Sequence, residues 1–244
     1  MKIISICGDA LRPFLDLLFP RECPVCGKAL CADERYICGP CREDLPLTRF
    51  WAWAENPAEE RLWHRIGIVA AASLYFYRYE GGYASLVRGI KYSGRTDLGL
   101  SLGRMLGEYM RESGRFDGVQ AVVSVPLHPL RRWKRGYNQA EIIARGIAQG
   151  LWPDEDSSSR VEAHLLRRRR YTRTQTRLSG EQKGRNVRNA FSLNAGAAAR
   201  LAAQGVDQLL LVDDVLTSGA TLEAAAKPLM ENFLVSVATL GFVE

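Results

Sequence analysis

Apolar and polar positions follow regular patterns from about residue 66 to the end of the chain. Short apolar or β-branched stretches predict strands at 68–79, 119–125, 209–212 and 234–242, and helical periodicity predicts helices at 83–92, 97–111, 139–151 and 221–231. The stretch 209–212 is apolar throughout, which is typical of a parallel strand buried on both faces. Strands that alternate with helices predict an α/β domain, a parallel sheet flanked by helices.

The first twenty residues predict a short amphipathic helix, because apolar residues recur at helical spacing between Leu11 and Leu18 and Pro20 ends the stretch. Charged residues interrupt this apolar stretch, so it is a poor secretory signal. No apolar run approaches the roughly 18 to 20 residues of a membrane span. We therefore expect a cytoplasmic protein without a membrane span.

The composition excludes a disordered, collagen-like or coiled-coil chain, because the 244 residues are 47% hydrophobic and 25% charged. A formal net charge of +6 is compatible with an anionic partner. The positive charge is concentrated in one stretch, since ten basic and two acidic residues lie between Arg160 and Phe191.

Four of the six cysteines form two pairs, Cys23-Pro-Val-Cys26 and Cys38-Gly-Pro-Cys41, separated by eleven residues. In each pair the chain turns so that both sulfurs face one point, and together they supply the four thiolates of a tetrahedral Zn²⁺ site. Residues 21–48 contain too few apolar residues to form a stable core without a bound metal ion or another cross-link. We therefore predict a small zinc-ribbon-like module in which these four cysteines hold a structural zinc ion.

A redox dithiol is the alternative for the second pair, because Cys38-Gly-Pro-Cys41 has the letters of the thioredoxin motif. That chemistry needs a preceding buried strand and a following helix in a βαβ setting. Here the stretch before Cys38 is short and polar, and Pro46 follows. A part for Cys31 in metal binding stays open, although we expect Cys31 and Cys7 to be free thiols.

The stretch 209–221 predicts a ribose 5-phosphate site. A buried strand delivers Asp213 and Asp214 to its carboxyl end, and the small-residue loop 217–221 then opens a helix whose N–H groups and hydroxyls suit an anion. The carboxylates repel a phosphate, so they would accept hydrogen bonds from vicinal hydroxyls or hold Mg²⁺. An ordinary N-capped helix would explain the strand but not the paired carboxylates. The predicted site residues are Asp213, Asp214, Thr217, Ser218, Gly219, Ala220 and Thr221.

These residues resemble the phosphoribosyl-pyrophosphate (PRPP) signature of type I phosphoribosyltransferases, Asp-Asp-x-x-Thr-Ser-Gly-x-Thr after hydrophobic residues. The resemblance implies a type I phosphoribosyltransferase-like sheet, with PRPP bound together with Mg²⁺.

A basic segment follows the predicted strand 119–125, with four cations in five positions and then Gly136. In a PRPP-type fold the loop after the first core strand faces the pyrophosphate, so cations there would offset its charge. Taken alone, such a segment is more often a solvated surface loop. The residues assigned to the pyrophosphate are Arg131, Arg132, Arg135 and Gly136.

The basic stretch 167–188 lies where type I phosphoribosyltransferases have a mobile loop that closes over PRPP. It is polar, rich in hydroxyl groups and without apolar periodicity. We expect it to close over a phosphorylated ligand or nucleic acid, and a merely solvated loop is the alternative. The residues assigned to it are Arg167, Arg168, Arg169, Arg170, Gln175 and Lys183.

The basic segment, together with Lys91-Tyr92 upstream and Asn186-Val187 and Ala190-Phe191 downstream, resembles the ComF family. These are cytoplasmic bacterial proteins linked to competence for DNA uptake, and the likeness covers nearly the whole chain. It implies a zinc module fused to a phosphoribosyltransferase-like domain, a role near single-stranded DNA, and other DNA-import proteins as candidate partners. One departure is Lys183, where the family has an arginine; lysine lacks the bidentate fork.

The predicted layout is an amphipathic helix (1–20), a zinc module (21–48), a linker (49–65) and a phosphoribosyltransferase-like domain (66–244). The predicted function is a ComF-type DNA-uptake protein that binds PRPP or a related ribose 5-phosphate and handles single-stranded DNA. The alternative is an active transferase that moves the phosphoribosyl group to a nitrogenous acceptor, for which the sequence shows no acceptor pocket. A structural adaptor that docks another import component through its zinc module is a third possibility.

Overall fold

The computed structural model describes residues 21–168 and 190–244. The predicted helix 1–20 and the predicted loop residues Arg169, Arg170, Gln175 and Lys183 lie outside the described residues. None of the described helices is long and apolar enough to cross a membrane.

The cysteine-containing turns come first in the described chain and are followed by short helices. These are α1 (Gly39–Glu43), a 3-10 helix (Phe50–Ala52) and α2 (Pro57–Trp63). The α/β part then runs through β1 (Ala71–Phe76), α3 (Ala84–Tyr92), α4 (Thr96–Ser113), β2 (Ala121–Ser124), α5 (Pro129–Arg135), α6 (Gln139–Leu151), a 3-10 helix (Ser157–Arg160), β3 (Leu166–Arg168), β4 (Phe191–Leu193), α7 (Ala195–Ala203), β5 (Gln208–Leu216), α8 (Ala220–Met230) and β6 (Leu234–Phe242).

The central sheet has four strands in the order β1-β6-β5-β2, and every neighbouring pair is parallel. Strands β3 and β4 form a separate antiparallel pair. Helices cover both faces of the sheet, so the predicted α/β class with a flanked parallel sheet is confirmed.

Both faces of β5 are buried, as its apolar run predicts. Successive strand residues point to opposite faces. Leu210 and Val212 pack in the cluster that includes α4 and α6, whereas Leu209 and Leu211 pack in the cluster that includes α7 and α8.

Helices α4 and α6 approach each other so closely that their backbones touch at glycines. A Cβ added at Gly103 would lie 2.5 Å from the carbonyl oxygen of Ile143, and one added at Gly146 would lie 2.2 Å from that of Leu100. This close packing fixes the position of α6, whose first residue, Gln139, enters the candidate site described below.

The stretch 49–65, predicted as a linker, packs on the sheet. Asn56 and Glu59 are almost completely buried, with 0% and 1% exposure. The Asn56 amide donates to the carbonyl of Ala71 at 3.1 Å, and the Glu59 carboxylate accepts the backbone N–H of Ala71 at 2.9 Å and pairs with Arg115 at 2.7 Å. These long-range bonds attach the stretch to β1.

The cysteine-containing turns also contact the α/β part. The Tyr83 hydroxyl donates to the carbonyl of Cys41 at 3.1 Å, and Leu47 forms an antiparallel bridge with Tyr75 of β1. The N-terminal turns are therefore held against the β1 edge of the sheet.

Candidate functional site

Asp213 and Asp214 lie near the carboxyl end of β5, which has β6 on one side and β2 on the other. Because the four strands are parallel, their carboxyl ends meet at one edge, where open α/β sheets bind ligands. Asp214 is buried and Asp213 is half-buried. The backbone N–H of Asp214 donates to Oδ1 of Asp213 at 2.9 Å.

Both carboxylate oxygens of Asp214 have side-chain partners from other elements. Lys91 at the end of α3 places its Nζ 2.9 Å from Oδ1, and Gln139 at the start of α6 donates its Nε2 to Oδ2 at 2.8 Å. Lys91 offsets one of the two adjacent negative charges. Burial on its own lowers the pKa of Lys91, but the charge of Asp214, the hydrogen bond to it and the charge of Asp213 together outweigh burial and leave this pKa raised.

Asp213 has an unusual proton affinity for a carboxyl group. Burial, followed by the charge of Asp214, raises its pKa to about 7. Lys91 and Arg168 act in the opposite direction without cancelling this rise. Asp213 therefore changes its charge near neutral pH.

The loop after β5 ends in an open helix N-terminus. Thr217 and Ser218 are exposed, and Gly219, with φ of +78°, is the N-cap of α8. Within the described chain no side chain caps the first N–H groups of this helix, which leaves them available to an anion. A Cβ at Gly219 would lie 3.1 Å from the Leu62 side chain, so α2 packs closely against the loop at this glycine. Thr217, Ser218, Gly219, Ala220 and Thr221 thus follow the end of β5, two residues after the acidic pair.

The predicted pyrophosphate segment is helical rather than a loop. It forms α5, which begins at Pro129 after the N-cap His128 and ends at Arg135, with Gly136, whose φ is +82°, as the C-cap. Arg135 donates to Oε1 of Gln139, the residue that contacts Asp214, and its guanidinium lies 5.2 Å from the centre of the Tyr92 ring. Arg132 instead pairs with Glu141 of α6 at 3.8 Å.

Arg131 of the predicted pyrophosphate segment and Arg168 of the predicted mobile loop lie close enough together for their charges to interact. Burial lowers the pKa of Arg168, Arg131 lowers it further and Asp213 raises it. Arg168 lies in β3 with its guanidinium 5.2 Å from the Phe191 ring centre, whereas Arg167 is exposed. Of the predicted mobile-loop residues described, Arg168 is therefore the one within electrostatic reach of the acidic pair.

Lys91, Asn138 and Gln139 were not predicted as site residues. Asn138 is buried, donates to the carbonyl of Val125 at 3.1 Å and caps α6. An Asn directly before a helical pattern is a recognisable N-cap signal. Lys91 and Gln139 carry no such local signal, because their partner lies far away in the sequence.

The four paired cysteines meet at one point. Their Sγ atoms all lie within 4.8 Å of one another, and those of Cys26 and Cys38 are 3.7 Å apart. Zn–S bonds of about 2.3 Å in a tetrahedron place sulfurs about 3.8 Å apart, so the spacing fits zinc. Cys31 is exposed and is not part of this group.

The thiol pKa values also fit a metal site better than a redox dithiol. Burial alone raises the pKa of Cys23, but backbone N–H groups of Cys38, Cys26 and Val25 lower it to about 6. Cys38 accepts the backbone N–H of Cys41, yet burial and the neighbouring thiols leave its pKa raised. A redox pair needs an activated thiolate, and Cys38 is not one. The cluster supports structural zinc.

This chain is similar to known proteins both in its cysteine-containing part and over most of its length. Residues 14–50 match the double zinc ribbon domain family. The DNA utilization protein YhgH of Salmonella typhimurium is 30% identical over 233 residues, which cover 94% of this chain and 85% of that protein. YhgH of Escherichia coli K12 is 30% identical over 234 residues, with the same coverage. Competence protein F of Haemophilus influenzae is 31% identical over 145 residues, 58% of this chain and 59% of that protein. The chain therefore belongs to the ComF family, together with YhgH and competence protein F.

Proposed function

We propose that this protein acts in the cytoplasm in the uptake or use of DNA, binds PRPP or a related ribose 5-phosphate, and handles single-stranded DNA. The names of its relatives, DNA utilization protein and competence protein, support the DNA-related part. The ribose phosphate part rests on the edge of the sheet.

One observation carries the ribose phosphate proposal: the acidic pair Asp213–Asp214 and the open N-terminus of α8 share one end of β5. The helix N-terminus suits a dianionic phosphate, and the carboxylates suit hydroxyl donors. A ribose 5-phosphate has both groups at opposite ends of one sugar. We call the acidic pair with residues 217–221 the ribose phosphate cradle.

Mg²⁺ fits the proposed cradle at Asp213 rather than at Asp214. Lys91 and Gln139 engage the two oxygens of Asp214, whereas Asp213 accepts one backbone N–H. Mg²⁺ is usually held by one or two carboxylates together with phosphate oxygens and water. When bound with PRPP, it would neutralise part of the pyrophosphate charge.

The test of the cradle is calorimetric titration with ribose 5-phosphate and with Mg²⁺-PRPP. Asp213→Asn removes a charged acceptor, so affinity should fall by about ten- to a hundredfold. Asp207→Asn is the matched control, because Asp207 is exposed at the opposite end of the same strand. Equal affinity in the parent and in Asp213→Asn would refute the cradle.

The surface next to the cradle supports the single-stranded DNA proposal. Helix α5 carries four cations around Trp133, which is 82% exposed, and Tyr92 nearby is 75% exposed. Cations that follow the backbone and aromatic rings on which bases stack are the usual means of binding a single strand. We call α5 with Tyr92 the basic aromatic surface.

The DNA proposal is tested by the salt dependence of affinity for a labelled single strand. Removing two phosphate contacts with Arg132→Ala/Lys134→Ala should reduce the slope of log affinity against log salt by about 1.4. The control is Arg104→Ala/Arg111→Ala, which removes the same charge from exposed positions of α4. An equal decrease of the slope in both variants would mean that the single strand is held by nonspecific charge attraction and not by α5.

An active phosphoribosyltransferase is the second candidate, favoured by Arg168, whose charge acts on Asp213 and which in turn has Arg131 nearby. Cations at this place would stabilise the leaving pyrophosphate. Pyrophosphate release from Mg²⁺-PRPP, with and without nitrogenous bases, distinguishes the two candidates. Base-dependent release lost in Asp213→Asn would favour the transferase.

A further inference from the structure

The two ends of the ribose phosphate cradle differ in what they can accept. At the acidic end, Lys91 pairs directly with Asp214, whereas Arg168 acts on Asp213 only as the weaker, more distant cation, so the ionised Asp213 carboxylate keeps its negative charge toward a ligand in contact with it. A phosphate ester placed there would be repelled. At the other end, Thr217 and Ser218 are exposed, so a phosphate held there can carry a further substituent.

A cleft of about 590 Å³ is lined by Thr217 and Ser218 but not by the acidic pair. Its walls include His64 and Arg65, directly after α2, and Val243 and Glu244, directly after β6. The Glu244 carboxylate pairs with Arg78 at 3.5 Å, which offsets its charge. The cleft is open to solvent, and its volume is comparable to that of sites that hold small organic ligands. A ribose 5-phosphate in the cradle would leave this space unused.

The wall of the cleft is tied to the phosphate-binding loop. The Arg61 guanidinium donates to the carbonyls of Thr217, at 3.1 Å, and of Val243, and lies 4.1 Å from the Phe242 ring centre. Arg65 pairs with Glu223 of α8 at 2.9 Å and remains 40% exposed. The cleft and the cradle therefore share one supported loop, and a ligand can continue from one into the other.

We propose that this site takes the 3′-terminal nucleotide of a single DNA strand, an inference that rests on the ribose phosphate cradle proposed above. This nucleotide combines a free 3′-hydroxyl, which suits the acidic pair, with a 5′-phosphate, which suits the loop before α8. Its phosphodiester continues to the preceding nucleotide, and the cleft provides the space for it.

Other positions in a DNA strand fit less well. Internal and 5′-terminal nucleotides carry a phosphate on the 3′-oxygen, which would meet the carboxylates of Asp213 and Asp214. A free 5′-mononucleotide satisfies the cradle but leaves the cleft empty. The basic aromatic surface lies next to the same acidic pair through Arg135 and Gln139, so it can hold more of the strand by charge and stacking.

The test compares four DNA strands of about 12 nucleotides that differ only at the 3′ end, by fluorescence anisotropy at one fixed salt concentration. The ends are a ribonucleotide, a deoxynucleotide, a dideoxynucleotide and a 3′-phosphate, with the dye at the 5′ end. Affinity should decrease in that order, because two, one and no hydroxyls face the acidic pair and the phosphate is repelled. We expect about a tenfold difference between the deoxynucleotide and 3′-phosphate ends.

Two variants test whether the acidic pair and the cleft cause these differences in affinity. Asp213→Asn should reduce the difference between hydroxyl and phosphate ends. His64→Trp fills part of the cleft without adding charge and should weaken the deoxynucleotide-ended strand by about tenfold, whereas ribose 5-phosphate, which leaves the cleft unused, should lose less affinity. His64→Gln, which adds no bulk at the same exposed position, is its control.

Equal affinity for all four strands, or a preference for the 3′-phosphate, would overturn the inference while ribose 5-phosphate still binds in calorimetry. Absence of ribose 5-phosphate binding would overturn the cradle and this inference together. Competition of ribose 5-phosphate with the deoxynucleotide-ended strand, but not with the 3′-phosphate-ended one, would support both.

Discussion

Replacing Lys91 by methionine should destabilise the protein and weaken the site at the same time. The substitution keeps an unbranched side chain but removes the cation 2.9 Å from Asp214. The side chains of this pair are 24% and 10% exposed, so water can screen the carboxylate left behind only in part. Removing one partner of a buried ion pair costs about 3 to 5 kcal/mol, and the partial exposure of Lys91 favours the lower value of about 3 kcal/mol.

For a chain of 244 residues, this loss corresponds to a decrease of about 6 to 12 °C in the thermal midpoint. Differential scanning calorimetry measures it directly. Lys134→Met on α5 is the control, because Lys134 is exposed and its loss should leave the midpoint within about 2 °C. Lys91→Met/Asp214→Asn should recover most of the loss, since it leaves no uncompensated charge. An unchanged midpoint in Lys91→Met would refute the structural role given to this ion pair.

Three further predictions concern the metal, the pH dependence and the packing. Cys23→Ser should lose zinc in elemental analysis and Cys31→Ser should retain it; retention in the first variant would contradict the ligand set. Because the pKa of Asp213 is raised from 3.8 to about 7, the folded state binds an additional proton between these values and the stability contributed by this group falls as pH rises through them. Asp213→Asn should therefore have a higher thermal midpoint than the parent at pH about 8 but not at pH about 4. The affinity for ribose 5-phosphate should rise more steeply between pH about 6 and 8 in the parent than in Asp213→Asn, because the phosphate, with a second pKa of about 6, gains charge in both proteins. Gly103→Ala should lower the free energy of unfolding in urea by about 2 kcal/mol or more, because the added Cβ meets a backbone carbonyl. Gly196→Ala in α7, where the nearest atom lies 3.7 Å from the added Cβ, should be neutral or stabilising. Equal effects of the two substitutions would contradict the close packing of α4 and α6.

The sequence predicted the elements of the sheet because their patterns are local. The buried strand β5, the helix at Gln139–Leu151 and the strand β6 all appear as apolar runs or helical periodicity within ten to fifteen residues. The cysteine site was predictable for the same reason, since each C-x2-C pair and its turn are short-range features.

The stretch 49–65 was predicted as a linker, and its packing on the sheet could not be predicted, because the partners of its buried polar residues lie far away in the sequence. The buried Glu59 depends on the backbone of Ala71 and on Arg115, 56 residues away, and nothing in the local pattern indicates either contact. Because charged residues are rarely buried in proteins, a glutamate with no recognisable partner in the sequence is predicted to be exposed.

Helix α5 was missed for a different reason: it has no apolar face, and none of its seven residues is buried. Hydrophobic periodicity cannot detect such a helix, although Pro129 at its start and Gly136 after its end are helix-boundary signals. Lys91 and Gln139 escaped assignment because their meeting at Asp214 depends on the parallel order of the strands.

The most direct test of the ribose phosphate cradle is a crystal structure of the protein with ribose 5-phosphate. The account predicts the phosphate at the loop before α8, within hydrogen-bond distance of backbone N–H groups of residues 217–221. It also predicts a ribose hydroxyl donating to Asp213. Phosphate bound at the basic residues of α5, with the acidic pair facing only water, would contradict the account.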